Sequence, residues 1–441
     1  MKKTLIATAV GAAFVAPTAF ADVTISGSIN AGPAFVHQGS GSSGAVNGIV
    51  GVLPGSTAAS TGTVGAGNII TTNGAAGTGS NWGINTNYSN ITIGSLEDLG
   101  GGLKLDFAYQ LQANFQNTAN GAFNRNSHIG LVSDSWGGVW YGTNEQLYEA
   151  YMYTVDPLDG AAGMGGNLQM LGTPGFGQVF QTGGATNGDP SKCANANGSL
   201  GCSEYYMRES NAIWYNTPNF NGFSGGVYGT LPAYKTTATA TSAGINPEGW
   251  GIGGKYVGPS LPIQAWIAYE HHKDWFGLAA VNPAGGAFGN GAGGTGTSSS
   301  DYGAQIGVGY TFGDVFAYIN FEQLKYNTDI ATGGTDEYKR NASSIAAKWN
   351  IATGYVGGQF IKAWNGSCSL ATSGCSADNT GGYMIGLGYY HTLSKQTQAY
   401  IMATYNHNDD LQYYTTAGGV GAPYNLGSTL YGVTVGLKHS F

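Results

Sequence analysis

Leu103-Lys104-Leu105-Asp106-Phe107-Ala108-Tyr109-Gln110-Leu111-Gln112-Ala113-Asn114-Phe115 alternates without a break between two kinds of side chain. Leu103, Leu105, Phe107, Tyr109, Leu111, Ala113 and Phe115 fall on one face, and Lys104, Asp106, Ala108, Gln110, Gln112 and Asn114 on the other. Successive side chains of a strand point to opposite faces, so the stretch predicts a strand with one apolar and one wet face. A tilted strand of roughly ten residues crosses a bilayer, and this one is long enough.

The same period recurs downstream. Tyr302, Ala304, Ile306, Val308 and Tyr310 oppose Gly303, Gln305, Gly307 and Gly309, and Val315, Ala317, Ile319 and Phe321 oppose Phe316, Tyr318, Asn320 and Glu322. Ile263, Ala265, Ile267 and Tyr269, and Tyr383, Ile385, Leu387 and Tyr389, lead two more such strands. Charged residues make up only 9% of the chain, against about 25% in an ordinary soluble protein. Disorder would suit the 76 glycines but not 28 Tyr, 17 Phe and 9 Trp. A membrane barrel fits both, because lipid-facing and lumen-facing residues average to the near-zero mean hydropathy of −0.10.

Connections alternate in length. Phe312-Gly313-Asp314 and Leu393-Ser394-Lys395-Gln396-Thr397 are tight, whereas long polar stretches run from about Gln38 to Asn81, Asn144 to Arg208, Leu231 to Asn246, His272 to Asp301, Asn327 to Arg340, Asn365 to Thr380 and His407 to Ser428. Short periplasmic turns and long external loops characterise outer-membrane barrels. Counting strands between turns gives an all-β, closed antiparallel transmembrane barrel of about sixteen, and closure removes edges that lipid would not tolerate. Alternation is weakest around Arg125 and Tyr355.

The two ends carry addresses. Lys2 and Lys3, the apolar run Leu5 to Val15 and the small residues of Ala19-Phe20-Ala21 form a signal peptide over 1–21, so the mature barrel spans 22–441 from Asp22. The apolar run is too short for a spanning helix. Losing Lys2 and Lys3 takes the formal charge from −8 to −10, which argues against nucleic acid as a partner. At the other end Tyr431, Val433, Val435, Leu437, His439 and Phe441 share one face. A terminal aromatic at this spacing resembles the sorting signal read by the outer-membrane assembly machinery. The four cysteines form two local pairs, Cys193 with Cys202 and Cys368 with Cys375; an oxidising compartment and the absence of nearby histidine clusters favour disulfides over a metal site.

Several segments resemble the general trimeric porins of Gram-negative bacteria, particularly the Gly-rich proteobacterial type. Ser95-Leu96-Glu97-Asp98-Leu99-Gly100-Gly101-Gly102-Leu103-Lys104 is similar to that family's first periplasmic turn and third strand. Phe123-Asn124-Arg125 running into Ile129-Gly130-Leu131 resembles its fourth strand, and Gly142 its fifth. Tyr215 to Phe223, preceded by Arg208, resembles its sixth strand and turn, and Leu393 to Thr397 with Gly436 to Phe441 its last turn and C-terminus. The resemblance implies a homotrimer whose third external loop, residues 144–208, folds into the barrel and narrows the pore. That loop carries Glu145, Glu149, Asp156 and Asp159, and the family's facing basic wall is matched by Arg125 and Arg208, which are expected to face Asp156 and Asp159 and so set the ion preference. Thr143 and Trp214 stand where the family commonly has arginine and lysine, which thins that wall.

A strand charge facing lipid near the midplane costs roughly 2–4 kcal/mol, so Lys104, Asp106, Lys255, Glu270, Glu322, Lys348 and Lys438 are expected to face the lumen. Tyr109, Trp349, Tyr389, Tyr390 and Tyr405 suit aromatic girdles at the headgroups. His271-His272 near Asp274 is read as solvated and not as a metal site, and Asp409-Asp410 as a solvated loop tip open to calcium or lipopolysaccharide-bridging cations. No catalytic constellation and no cofactor signature appears. The reading is passive diffusion of ions and small hydrophilic solutes, in contact with outer-membrane lipid and lipopolysaccharide. An adhesin or structural protein on the same barrel is the alternative, motivated by the long Gly/Ser/Thr-rich loops.

Overall fold

The computed structural model describes residues 23–41, 45–47, 64–65, 69–71, 78–86, 89–113, 115, 124–159, 163–175, 205–206, 208–231, 246–274, 296–330, 334–369, 377–410, 412, 414 and 427–441. Residues 1–21, expected to be a signal peptide, and Asp22, Cys193, Cys202 and Cys375 lie outside these residues. Among them a single antiparallel sheet of eighteen hydrogen-bonded segments closes on itself. Two of the staves are each built from two segments, so the barrel has sixteen.

In chain order the staves are β1 (Thr24–Gln38), β2 (Gly79–Asn85 and Asn90–Gly100), β3 (Leu103–Gln112), β4 (Asn124–Ser133), β5 (Gly137–Glu145), β6 (Arg208–Asn216), β7 (Phe223–Thr230) and β8 (Glu248–Val257). They continue with β9 (Ile263–Lys273), β10 (Gly296–Phe312), β11 (Val315–Ile330), β12 (Thr335–Ile351), β13 (Gly354–Ala363 and Ser367–Ser369), β14 (Gly382–Thr392), β15 (Thr397–Asn408) and β16 (Thr429–Ser440). The two pieces of β2 both pair with β1, and the two pieces of β13 both pair with β12. A small separate sheet of Ala45–Asn47, Val64–Gly65 and Ile69–Thr71 lies in the first long connection.

Closure comes from β1, which pairs with β16 along Ser28↔Ser440 to Gln38↔Leu430 and with β2 on its other side. The last residue is zipped in: Gly27 N–H donates to the Phe441 carbonyl at 3.0 Å and Phe441 N–H to the Gly27 carbonyl at 3.1 Å. Every stave of this sheet is thus paired on both sides among the described residues, as contact with lipid requires. No helix among the described residues is long and apolar enough to cross a membrane; the crossing is made by strands.

Period-two alternation sorts the side chains as a barrel requires. On β15, Ile401, Ala403 and Tyr405 point out while Tyr400, Met402, Thr404 and Asn406 are buried inside. Two expectations change here. The Asn327 to Arg340 connection is mostly strand, because β11 and β12 continue pairing as far as Asp329↔Thr335, held by Lys325 to Glu337 at 2.7 Å. Tyr390 is not a girdle residue: it is fully buried, stacked between Tyr355 (4.5 Å) and Tyr400 (5.2 Å) on the inner wall. It sits one residue from the outward Tyr389, and a strand gives neighbours opposite faces.

Candidate pore constriction

After β5 the chain turns into a short helix, α1 (Leu147–Tyr153), and a 3-10 turn at Asn167–Gln169. The first amides of a helix have no partner within it, and Gln146 supplies no side-chain cap. Glu270 on β9 takes that role: its carboxylate accepts the Tyr148 N–H at 3.0 Å, a negative group at the positive end of the helix dipole. Gln305 on β10 donates to the Tyr148 carbonyl at 2.6 Å, and the Tyr148 hydroxyl donates to Glu322 on β11. Burial, and after it the Glu322 carboxylate, pushes the Tyr148 phenol well up, so it remains a donor at neutral pH. The same causes, burial and then Glu270, raise Tyr151 to about 12.

Further along, the segment is strapped to the wall at each step. Glu322 accepts the Gly172 N–H at 2.9 Å and pairs with Arg340 at 2.8 Å. Arg340 donates to the Met170 carbonyl at 2.9 Å and to the Thr173 carbonyl, and its guanidinium lies 5.7 Å from the Tyr414 ring centre. The Tyr390 hydroxyl donates to the Leu158 carbonyl and Gln359 to the Gly165 carbonyl. Glycines let the backbones meet: a Cβ on Gly357 would lie 2.2 Å from the Pro157 carbonyl oxygen. Tyr148, Met152, Leu168 and Leu171 are buried there with Tyr205, Tyr318, Tyr326 and Tyr338.

The charges expected at the narrow point fall into two groups. Arg208 and Glu145 are cross-strand partners on β6 and β5, and their side chains are in contact. Arg125 on β4 approaches Glu145 at 3.6 Å, and Glu149 lies 4.0 Å from Arg208. Gln110 and Asn126 hold the two guanidiniums at 2.9 Å each. At the far end of the segment Asp159 contacts Lys438 on β16, and Lys348 stands 3.9 Å over the Tyr355 ring within the field of Asp159 and Asp156. Arg125 and Arg208 thus engage Glu145 and Glu149 at the root and not the expected Asp156 and Asp159, because the segment carries those two away to β12 and β16, where Asp159 engages Lys438. Asp156 accepts the backbone N–H of Leu158 at 3.0 Å and of Asn167 at 3.2 Å, shaping the turn between the groups.

The remaining wall charges differ in kind. Glu270 and Glu322 are fully buried anchors, whereas Lys104 and Asp106 keep lumen exposure, Lys104 lying 3.7 Å from Asp134 and Asp106 accepting Trp140 Nε1–H at 2.7 Å. Lys255 reaches to 5.9 Å over the Tyr151 ring.

Several residues of this network are not signalled by the sequence. In the sequence Arg340 ends a long polar stretch, and the alternation Tyr338, Arg340, Ala342, Ser344 is the available sign that it faces inward. His272 and Asp274 are not solvated. Because β9 extends to Lys273, His271 points out against Trp250 (5.6 Å), while His272 turns in, stacked on Tyr205 at 5.0 Å with Gln146 at 3.0 Å. Cys368, on the short second piece of β13, is disulfide-bonded.

A closed sixteen-stave barrel, apolar outside, with a helix-bearing segment strapped to its inner wall, defines an outer-membrane channel. The chain belongs to the Gram-negative porin family, whose sequence model matches residues 7–411. It is 27% identical over its whole length to outer membrane porin protein 32 of Delftia acidovorans, covering all of both chains. A segment of 172 residues is 30% identical to an outer membrane porin of Bordetella pertussis, covering 37% of this chain and 34% of that one. Among solved structures it superposes on the anion-selective porin from Comamonas acidovorans with a TM-score of 0.62 at 21% identity, covering 96% of this chain and 100% of that one. The trimer form of OmpT from Vibrio cholerae gives 0.52 at 11% identity, with 96% and 99% covered. Family membership points to a channel and not to an enzyme, and places the protein in the outer membrane.

Proposed function

We propose that the protein is a general diffusion porin that works as a homotrimer, with its narrow point beside the segment 144–208, where that segment meets charges of the inner wall on β4–β6 and on β12 and β16, and that it passes ions and small hydrophilic solutes. The strapping of that segment to the inner wall by Glu270, Glu322 and Arg340 is the observation that carries this reading. Glu145 and Glu149 face Arg125 and Arg208, and Asp156 and Asp159 face Lys348 and Lys438, so acids and bases at the narrow point are close to balanced. Weak ion selectivity is the consequence, in contrast to the relative named as anion-selective. Trimers are known among the structural relatives, and the same assembly is proposed here.

The proposal includes a signal peptide over 1–21 removed before Asp22, and disulfides Cys193–Cys202 and Cys368–Cys375. Unreduced peptide mapping checks the disulfides: free thiols or crossed pairs would contradict them. The test of the function is planar-bilayer recording of purified full-length protein, which should give ohmic openings that close in three equal steps. Absence of conductance would remove the channel reading, and single-step closure would remove the trimer. Deleting Phe441 should strip the outer membrane of assembled protein, because that residue closes the zipper to Gly27; normal levels of heat-modifiable protein after the deletion would contradict its role as an assembly signal.

A further inference from the structure

We propose that the inner wall of β3–β5, on the periplasmic side of the narrow point, holds a subsite for a neutral saccharide ring, stacked on the indole of Trp140 and hydrogen-bonded to Asp106. The inference rests on the reading of the chain as a diffusion pore and names a solute class that the pore retains in passing.

Asp106, Gly130, Trp140, Trp214 and Tyr228 are successive cross-strand partners on β3 to β7 and form one inward row. Trp140 precedes Glu145 on β5 by about 16 Å of strand, so the row lies below the narrow point. Trp214 and Tyr228 are buried, stacked at 5.3 Å and packed with Leu147 of α1. Trp140, one stave nearer β3, keeps part of its ring open to the lumen.

Two glycines set the orientation of that ring. A Cβ on Gly138 would lie 2.2 Å from Cη2 of the indole, and one on Gly130 would lie 2.5 Å from its Cδ1. The ring therefore lies flat on the backbones of β4 and β5, with one face on the wall and the other toward the lumen. Its Nε1–H donates to Asp106 Oδ2 at 2.7 Å, which fixes its rotation in the plane of the wall. Asp106 Oδ1 makes no hydrogen bond among the described residues, and the side chain stays open to the lumen as an acceptor. His128 Nε2 lies 3.6 Å from Asp106 Oδ2, and its Nδ1 lies 2.7 Å from Asn144 Oδ1, so an imidazole and an amide continue the polar edge toward the narrow point.

A flat apolar face with hydrogen-bonding groups along one edge matches a pyranose, which carries C–H groups on its faces and hydroxyls around its rim. Aromatic faces supply apolar contact area, and a carboxylate accepts strong, charge-assisted hydrogen bonds from hydroxyls. Charge disfavours ions at this place. Lys104, two residues from Asp106 on the same face of β3, opposes a cation, and the Asp106 carboxylate repels an anion from the edge of the ring. A neutral ring meets neither cost.

Ion-current recording through the purified full chain in a planar bilayer, titrated with glucose and with the open-chain hexitol sorbitol, tests the subsite. Glucose should lower the conductance along a saturating curve, and sorbitol only in proportion to the viscosity of the solution. Trp140→Ala should raise the half-saturating glucose concentration about fivefold, the size of an aromatic stacking contribution. Asp106→Asn should raise it about threefold, because a neutral acceptor holds hydroxyls less strongly. If Trp140→Ala fails to assemble, Asp106→Asn decides alone. Open channels with the same unsaturating response to both polyols, or a glucose curve unchanged by the substitutions, would overturn the subsite and leave the channel standing. A saturating block by tetraethylammonium that is lost in Trp140→Ala, with none by glucose, would make the place a cation site and overturn the proposal too. Absence of any openings would remove the channel reading and the subsite together.

Discussion

The inner walls of β9–β12 and of β3–β5 are both lined with charge, yet they use it differently. On β9–β12, Glu270, Glu322 and Arg340 are fully buried under the inserted segment and spend their hydrogen bonds on its backbone. On β3–β5, Lys104 and Asp106 stay open to the lumen, and their partners are Asp134 and Trp140 at the wall itself. The comparison teaches that an inward charge in this barrel is a fastener where the segment lies on it and a solute-facing group where it does not. Identity of the residue does not decide between the two; the position of the segment does.

The largest effect should come from the buried fasteners. Arg340→Ala removes the cation paired with the buried Glu322 carboxylate and frees the Met170 and Thr173 carbonyls. Breaking a buried pair from one side typically costs about 3–5 kcal/mol. We expect a lower temperature of heat modification on gels together with a larger and noisier single-channel conductance. Unchanged conductance would mean that the segment holds its place without this anchor.

A smaller effect should follow Glu270→Ala, which removes the acceptor for the Tyr148 N–H at the start of α1. An orphaned buried donor costs about 1–3 kcal/mol. Denaturant unfolding should show that loss, with conductance rising less than in Arg340→Ala because the later straps remain. At the other wall, Lys104→Ala should change stability by less than about 1 kcal/mol, since an exposed ion pair contributes little, and should shift ion preference slightly toward cations. A stability loss as large as that of Glu270→Ala would break the comparison.

How much of this could be read in the chain itself depended on which side of a stave faced lipid. β3, β10, β11 and β16 were legible because lipid demands apolar residues outside while the lumen side carries glycine, amides or charge. β13 was not: Val356 and Phe360 point out, but Tyr355, Ile361 and Ala363 point in, where they pack beneath the inserted segment instead of meeting water. Both faces are apolar, so alternation fades. Tyr390 is ambiguous in the same way, because a tyrosine facing a headgroup and one facing the Leu158 carbonyl look alike in sequence. Charged candidates were found by alternation, but the pairing of Arg208 with Glu145 and of Lys438 with Asp159 joins residues up to 279 apart in the chain, and no local pattern encodes it.

The claim that charges beside the inserted segment, and not the total charge, set ion preference is tested most directly by the reversal potential across a salt gradient. Salt screens external charges over about 10 Å at 0.1 M, whereas a charge at the narrow point acts on the passing ion itself. Glu145→Gln with Asp159→Asn, which unbalances the near-neutral narrow point toward its bases, should move the reversal potential clearly toward anions. Asp409→Asn with Asp410→Asn, the same change in formal charge at the external end, should leave it nearly where it was. The opposite result, no movement in the first variant and a clear shift in the second, would contradict the account.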